Sequence, residues 1–289
     1  MKTIDYLSPT AIAQFFKNPE EFYLMRLAGL ARQPQTAPMA VGSAFDAYAK
    51  SCLHKRLIGD DPKYDFATLF EIQVEPQCRD EARVAGKVCF DRYEEVGALA
   101  ALEFELRQAQ DTPRFEFEIK GEVNGVPLLG RPDLFYVNAA GCPVVFDWKV
   151  NGYYSKWGIS PMPGYVKLRP DGVAHPEAVL ANFRGVHLNT AVCLSALNED
   201  WARQLTVYAL LLGATPEFIA AVDQVACRPG NLRVAEHRLR VSDSYQSRLL
   251  LEAQYVWQVV NSDHFFRDMS LEDSQARCAV LDRFAATTR

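Results

Sequence analysis

The run Val144-Val145-Phe146-Asp147-Trp148-Lys149-Val150 constrains this chain more than any other. Its β-branched and aromatic residues predict a strand lying deep in a sheet. Side chains two apart on a strand leave the same face, so Asp147 and Lys149 project together and Trp148 projects the other way. Two charges on one side of a buried strand cost free energy unless something compensates them. A divalent metal ion together with a phosphate would do so. D-x-K on its own is as well read as a surface ion pair, so the weight falls on its neighbours.

Asp133 precedes Asp147 in Leu128-Leu129-Gly130-Arg131-Pro132-Asp133-Leu134-Phe135-Tyr136-Val137, a second strand joined to the first by a turn over Asn138 to Pro143. In a hairpin with arms of this length the two acids can meet at one end of the sheet. Their mutual repulsion is relieved by Mg²⁺, which takes hard oxygen ligands and keeps several waters, one of them a prospective nucleophile. Lys149 would then orient or deprotonate that water, or stabilise a pentavalent phosphate. Gln204 and Tyr208, four apart, share one face of an amphipathic helix. Asp46, four residues after Gly42 near the expected start of a helix, reads either as an acid favoured by the helix dipole or as a third carboxylate near the metal.

The strand Phe115 to Lys120 and the Asn124-Gly125 turn complete a predicted three-strand meander with the two segments above. Before it the sequence is mainly helical, from 1 to 110. Ser8 and Pro9 start one helix, Asn18 and Pro19 a second, the stretch after Asp46 a third, and 80–110 continues the pattern. After it, 151–197 lacks periodicity and reads as a functional loop or insertion. A helix over 198–212, a strand pair over 222–241 and a helical tail over 243–286 follow. One domain over 1–289 is expected, with a catalytic core at 113–242 and a helical part at 243–289.

No apolar run approaches the ~18 residues that would signal a membrane span, and no secretory leader stands at the start, so a cytoplasmic protein without a membrane partner is expected. The seven cysteines form no C-x-x-C pair, which argues against a zinc ribbon or disulfide framework. A net charge of −5 does not favour a surface coated with nucleic acid, but a local basic channel is compatible with it. Lys156, Trp157, Lys167, Arg169 and Arg184, interleaved with Tyr153, Tyr154 and Tyr165, suit a single-stranded path in which rings stack on bases and cations follow phosphates. Arg228, Arg233, Arg238 and Arg240 form a second basic group. Each group is also compatible with an ordinary solvated surface.

Taken in order, LSPTAIAQFFKNPEEFYLMRL, GRPDL, VVFDWKV and QLTVYALLLG resemble the RecB-like branch of the PD-(D/E)XK nucleases, over about residues 5–50 and 115–215. The resemblance implies an α/β restriction-endonuclease-like core, with a central mixed sheet flanked by helices and an N-terminal helical segment. It also implies phosphodiester hydrolysis with one or two metal ions. Asp133 matches the acid of motif II, Asp147 and Lys149 the acid and lysine of motif III, and Gln204 and Tyr208 the following helix. Two departures stand out. The family's G-x-x-x-H motif places a histidine where this chain has Asp46, which can still ligate Mg²⁺. Asn18 occupies the position of the N-terminal cysteine that some relatives use for an iron–sulfur cluster, and Cys278 stands alone near the end, so no cluster is expected.

The resulting expectation is a Mg²⁺- or Mn²⁺-dependent deoxyribonuclease, an exonuclease or end-processing enzyme of recombination, repair, phage replication or defence. Asp46, Asp133 and Asp147 would be its metal ligands. Its partners would be DNA with a free end or a single strand, and a protein such as a helicase or recombinase. Two alternatives are compatible with the same residues: a catalytically inactive nucleic-acid-binding or scaffolding protein on the same fold, and a hydrolase of small phosphoesters.

Overall fold

The computed structural model describes residues 4–30, 34–151, 166–167, 193–228, 231–262, 270, 272–276 and 278–279. The chain opens with helix α1 (Pro9–Lys17), capped by the Ser8 side chain, which accepts from the Ala11 amide. Asn18 caps α2 (Pro19–Phe22) in the same way, and a π-helical turn, Tyr23–Leu27, follows. Both starts combine a short polar cap with proline in the first turn, as the sequence predicts. Helices α3 (Ala37–Leu57), α4 (Phe66–Gln73), α5 (Arg79–Glu95) and α6 (Ala98–Arg107) complete the N-terminal part.

The strands are β1 (Arg114–Phe115), β2 (Ile119–Val123), β3 (Val126–Gly130), β4 (Leu134–Val137), β5 (Pro143–Asn151) and β6 (Val166–Lys167). Helices α7 (Leu194–Leu197) and α8 (Glu199–Leu211), strands β7 (Ile219–Arg228) and β8 (Asn231–Leu239), and helix α9 (Asp243–Val260) follow. Six strands form a mixed sheet in the order β1-β4-β5-β7-β8-β6, while β2 and β3 make a separate hairpin. Strand β5 pairs antiparallel with β4 and parallel with β7, and the parallel step is bridged by α7 and α8. A parallel pair needs such a crossover, and the helix returns to cover the sheet.

Strand β5 is central and its two faces are divided as its alternation predicts. Val144, Phe146 and Trp148 join Phe45, Tyr93 and Leu102 in the core beneath α3, α5 and α6. Val145, on the face of Asp147 and Lys149, joins Leu205 and Tyr208 of α8, with α1 and α9 alongside. Helices thus cover both faces of a mixed sheet, which is the α/β architecture expected.

Three expectations are corrected. The three-strand meander does not exist: Phe115 pairs with β4 whereas Ile119 begins β2 of the other sheet. The break falls at Glu116, whose φ is 38°, and at Pro132, which has no N–H to continue a ladder and divides Leu128–Val137 into β3 and β4. Asp46 is not a first-turn acid, because α3 begins at Ala37 and carries Asp46 in its interior. Arg238 does not belong to a surface basic group. It is buried, bonded to Asp223 at 2.8 Å and close to Glu105, with its guanidinium over the Phe146 ring. The Asn124-Gly125 turn, in contrast, has φ of 50° and 79°, the double left-handed turn that suits the twist of a two-residue hairpin.

Gly86 sets the position of α3. A Cβ there would lie 2.5 Å from Ala44 Cβ and 2.9 Å from the Phe45 amide nitrogen, so only glycine lets α5 approach α3 this closely just before Asp46. Gly86→Ala should therefore lower stability by about 1–3 kcal/mol, despite alanine's ~1 kcal/mol helix advantage. Urea unfolding would measure it, and a variant as stable as the parent would show that α5 simply moves away.

Candidate functional site

On β5, Asp147 is buried and Lys149 is partly exposed, and the two are ion-paired. Gln204, one turn before Tyr208 on α8, clasps both. Its carbonyl oxygen accepts from Lys149 Nζ at 2.7 Å, and its Nε2 donates to Asp147 Oδ1 at 3.0 Å and lies 3.1 Å from the Tyr208 hydroxyl. An amide offers an acceptor to the ammonium from one atom and a donor to the carboxylate from another, so glutamine at this position has a chemical reason. Gly130 makes room for the arrangement, since a Cβ there would lie 2.6 Å from the Tyr208 ring. Asp147 Oδ2 is the oxygen that meets the Lys149 ammonium.

Asp133 stands just before β4, where the Pro132 break leaves it free of the ladder. Its Oδ2 accepts from the Trp148 amide at 3.1 Å, which ties it to the backbone between Asp147 and Lys149. Its Oδ1 accepts from Lys50 Nζ at 2.9 Å. Lys50 has no solvent exposure, and it also meets Asp46 Oδ2 at 2.6 Å and Glu116 Oε2. One carboxylate oxygen from each of Asp46, Glu116 and Asp133 lies within 4.8 Å of the other two. Gln73 donates to Asp46 Oδ2 at 2.9 Å, while Asp46 Oδ1 is buried without a hydrogen bond. Glu116 reaches the cluster through its left-handed backbone, with its amide donating to the Asp133 carbonyl at 3.0 Å.

The electrostatics follow from burial under uneven neutralisation. Burial raises the Asp147 carboxyl from 3.8 to about 7; Lys149 opposes the rise and Asp133 adds to it. Burial likewise pushes Asp46 well above the carboxylate range, against the pull of Lys50 and with repulsion from Asp133 and Glu116. Asp133 is lowered, because Lys50, Lys149 and the Trp148 amide together outweigh its burial. Burial alone would depress Lys50, but Asp133, Asp46 and Glu116 hold it well above the lysine value.

An open cavity of about 700 Å³ lies over part of this set, its walls including Asp46, Gln73, Glu116, Asp133, Trp148 and Lys149. The structure thus brings Asp46, Asp133, Asp147, Lys149, Gln204 and Tyr208 into one connected set. Lys156, Trp157, Arg169 and Arg184 lie outside the described residues. Lys167 lies on β6, opposite Arg233, and its side chain is likewise outside them. Sequence reasoning missed Lys50, Glu116 and Gln73. Lys50 was legible, since it follows Asp46 by four positions on a helix. Glu116 was hidden inside an alternation that read as continuous strand. The donor set fits a hard divalent cation: it is all oxygen, and it includes a buried carboxylate oxygen, Oδ1 of Asp46, that lacks a hydrogen bond.

The family model of the PD-(D/E)XK nuclease superfamily matches residues 6–157. Among solved structures, the chain is similar to a protein of Eubacterium rectale called a "putative exonuclease", with 12% identity and a TM-score of 0.45 over 89% of this chain and 80% of that one. It is also similar to SSO0001, with 12% identity and a TM-score of 0.28 over 85% and 86% of the two chains. No curated protein matches the chain in sequence. Among the described residues, no helix is long and apolar enough to cross a membrane.

The raised carboxyl of Asp147 makes stability depend on pH. Between about pH 4, where an unfolded aspartate ionises, and about 7, where Asp147 ionises in the fold, the native state keeps a proton that the unfolded chain has lost. Asp147 therefore removes stability as pH rises through that window. In EDTA, the stability of Asp147→Asn relative to the parent should improve from pH 5 to pH 8, by on the order of 1–4 kcal/mol. A difference that stays constant with pH would show that Asp147 ionises normally in the fold.

Proposed function

The chain belongs to the PD-(D/E)XK nuclease superfamily, and from that premise we propose that it is a divalent-metal-dependent deoxyribonuclease of the RecB-like branch, acting at DNA ends as an exonuclease or end-processing enzyme. The observation that carries this reading is the linkage of Asp133 to Asp147 and Lys149. The Trp148 amide holds Asp133 and Gln204 holds the other two; Asp133 and Lys149 stand at the wall of one open cavity, with the buried Asp147 paired to Lys149.

Asp133 and Asp147, with Asp46, would hold Mg²⁺ or Mn²⁺, which when bound supplies charge neutralisation for the scissile phosphate and acidifies a water. The remaining work falls to the chain. Lys149 presents its ammonium at the cavity wall, where it orients the attacking water or stabilises charge growing on the phosphate oxygens. Gln204 fixes Lys149 against Asp147, so that the cation does not swing into solvent. Tyr208 supports Gln204 from the next helical turn. Lys156, Trp157, Lys167, Arg169 and Arg184 supply the path for a single strand, with the indole stacking on a base and the cations following phosphates. Recombination, repair, phage replication or defence is the setting we propose, in the cytoplasm and with a helicase or recombinase as partner.

One observation favours a second reading. Lys50 already occupies the acidic cluster beside Asp46, as it would in a nucleic-acid-binding protein that keeps the fold without a metal. Such a protein would not be stabilised by Mn²⁺.

End-labelled linear and circular DNA, single- and double-stranded, incubated with Mg²⁺, Mn²⁺ or EDTA, test the proposal. Linear DNA should be degraded only with metal while circles survive, and Asp147→Ala should slow the reaction by about a hundredfold or more. Undiminished metal-dependent cleavage by that variant would remove Asp147 from the site, and cutting of circles would make the enzyme an endonuclease. Gln204→Ala acts through Lys149 and Asp147, and should lower the rate by about 10–100-fold with folding intact. A rate equal to the parent's would show that the clasp is dispensable.

A further inference from the structure

The position of Lys50 is unusual for a lysine. The side chain has no solvent exposure: it leaves α3 among Ala47, Ala49 and Leu53, all buried, and its ammonium is screened by the carboxylates it pairs with. An ammonium has three donors, and three carboxylates, those of Asp46, Glu116 and Asp133, receive them. With all four carboxyls ionised, as a bound cation would hold them, the cluster and the β5 pair set four carboxylates against the ammonium groups of Lys50 and Lys149, an excess of two negative charges that a single divalent ion cancels.

We infer that Lys50 is a resident cation that permanently fills the space between Asp46, Glu116 and Asp133, so that the site takes up one divalent ion and not a second among these three carboxylates. Lys50 is thus a positioning residue. It holds Asp133 toward the Trp148 amide and turns Asp46 so that Oδ2 faces the ammonium while Oδ1 stays free of hydrogen bonds. Glu116 is a partner of the lysine and not of the metal. Its left-handed backbone is the kind of strain a fold keeps where the surroundings hold it, and here it brings the third carboxylate to a buried ammonium. A divalent ion among the same three oxygen donors would face a positive charge that cannot retreat. The inference rests on the metal-site reading above, and its test separates the two.

Mn²⁺ binding, counted by the electron paramagnetic resonance of the free ion, provides the readout independently of cleavage. The parent should bind one equivalent. Lys50→Met should bind one more than the parent and should lose thermal stability in EDTA and regain it in Mn²⁺, as the ion takes the ammonium's place. An unchanged count in Lys50→Met, or two equivalents in the parent, would overturn the inference. So would a Lys50→Met chain that fails to fold even in Mn²⁺, because the ion would then not replace the ammonium. A parent that binds none, beside a variant that binds one, would uphold the resident cation and defeat the metal-nuclease reading. Glu116→Gln provides a second arm in a chain that keeps Lys50. Its Mn²⁺ dissociation constant should stay within about threefold of the parent's if Glu116 serves the lysine. A weakening of about tenfold or more, the effect of losing a direct ligand, would overturn the assignment.

Discussion

The attraction between the buried Lys50 ammonium and three carboxylates ties together three separate parts of the chain. Asp46 comes from the interior of α3, Glu116 from the residue after β1 and Asp133 from the residue before β4, and Asp133 passes the connection to β5 through the Trp148 amide. Each of these groups would be costly to bury alone. Removing the ammonium would leave three carboxylates facing one another without compensation, so the cluster depends on Lys50. Net stability is not the natural explanation for such a network, because apolar side chains of similar volume would stabilise as much. What it specifies is where the helical N-terminal part meets the sheet, and that meeting place is the cavity.

A second polar network grips β5 from behind. Trp148, which alternates away from Asp147 and Lys149, directs its indole N–H toward the Tyr93 hydroxyl at 3.4 Å. Tyr93 donates to Asp223 of β7, Asp223 accepts from Arg238 of β8, and Glu105 of α6 receives the Tyr136 hydroxyl and lies near Arg238. All of this is on the face opposite the site. The strand that carries Asp147 and Lys149 is therefore held by α8 through Gln204 on one side and by α5, β7 and β8 through Trp148 on the other. Reactive side chains need placement within a fraction of an ångström, and a strand at the centre of a sheet, tied by polar contacts on both faces, provides it better than a loop.

The parts of this design visible in sequence are those governed by local periodicity. β5 was legible because alternation and β-branching agree, α8 because its apolar stripe, its Asn198 cap and Gly213 agree, and the β2–β3 turn because Asn124-Gly125 has few other uses. Gln204 and Tyr208 could be paired from a spacing of four. What was not legible depends on tertiary contact. Helix α3 begins before Gly42, which looked like a boundary because glycine usually marks one, yet packing against α5 at Gly86 carries the helix through it. Arg238 looked like a member of a basic surface because its charge is in the sequence and its partners, Asp223 and Glu105, are distant in it.

The failures at Glu116 and Pro132 have a common meaning. Read locally, Phe115 to Lys120 and Leu128 to Val137 are uninterrupted strands, and each is instead cut by one residue that the ladder rejects: Glu116 by its positive φ, Pro132 by its missing N–H. Had both strands run on, alternation would have committed Glu116 and Asp133 to the faces of a pleat, with their backbones bound in register. Because both are interrupted, the chain leaves the sheet at two adjacent places, and the Glu116 amide bonds to the Asp133 carbonyl across the gap. The two carboxylates then turn toward the same ammonium. Departures from local preference concentrate where a fold gives up regularity for chemistry. In this chain they coincide with two of the three acids that surround Lys50, so the irregular backbone is itself part of how the site is built.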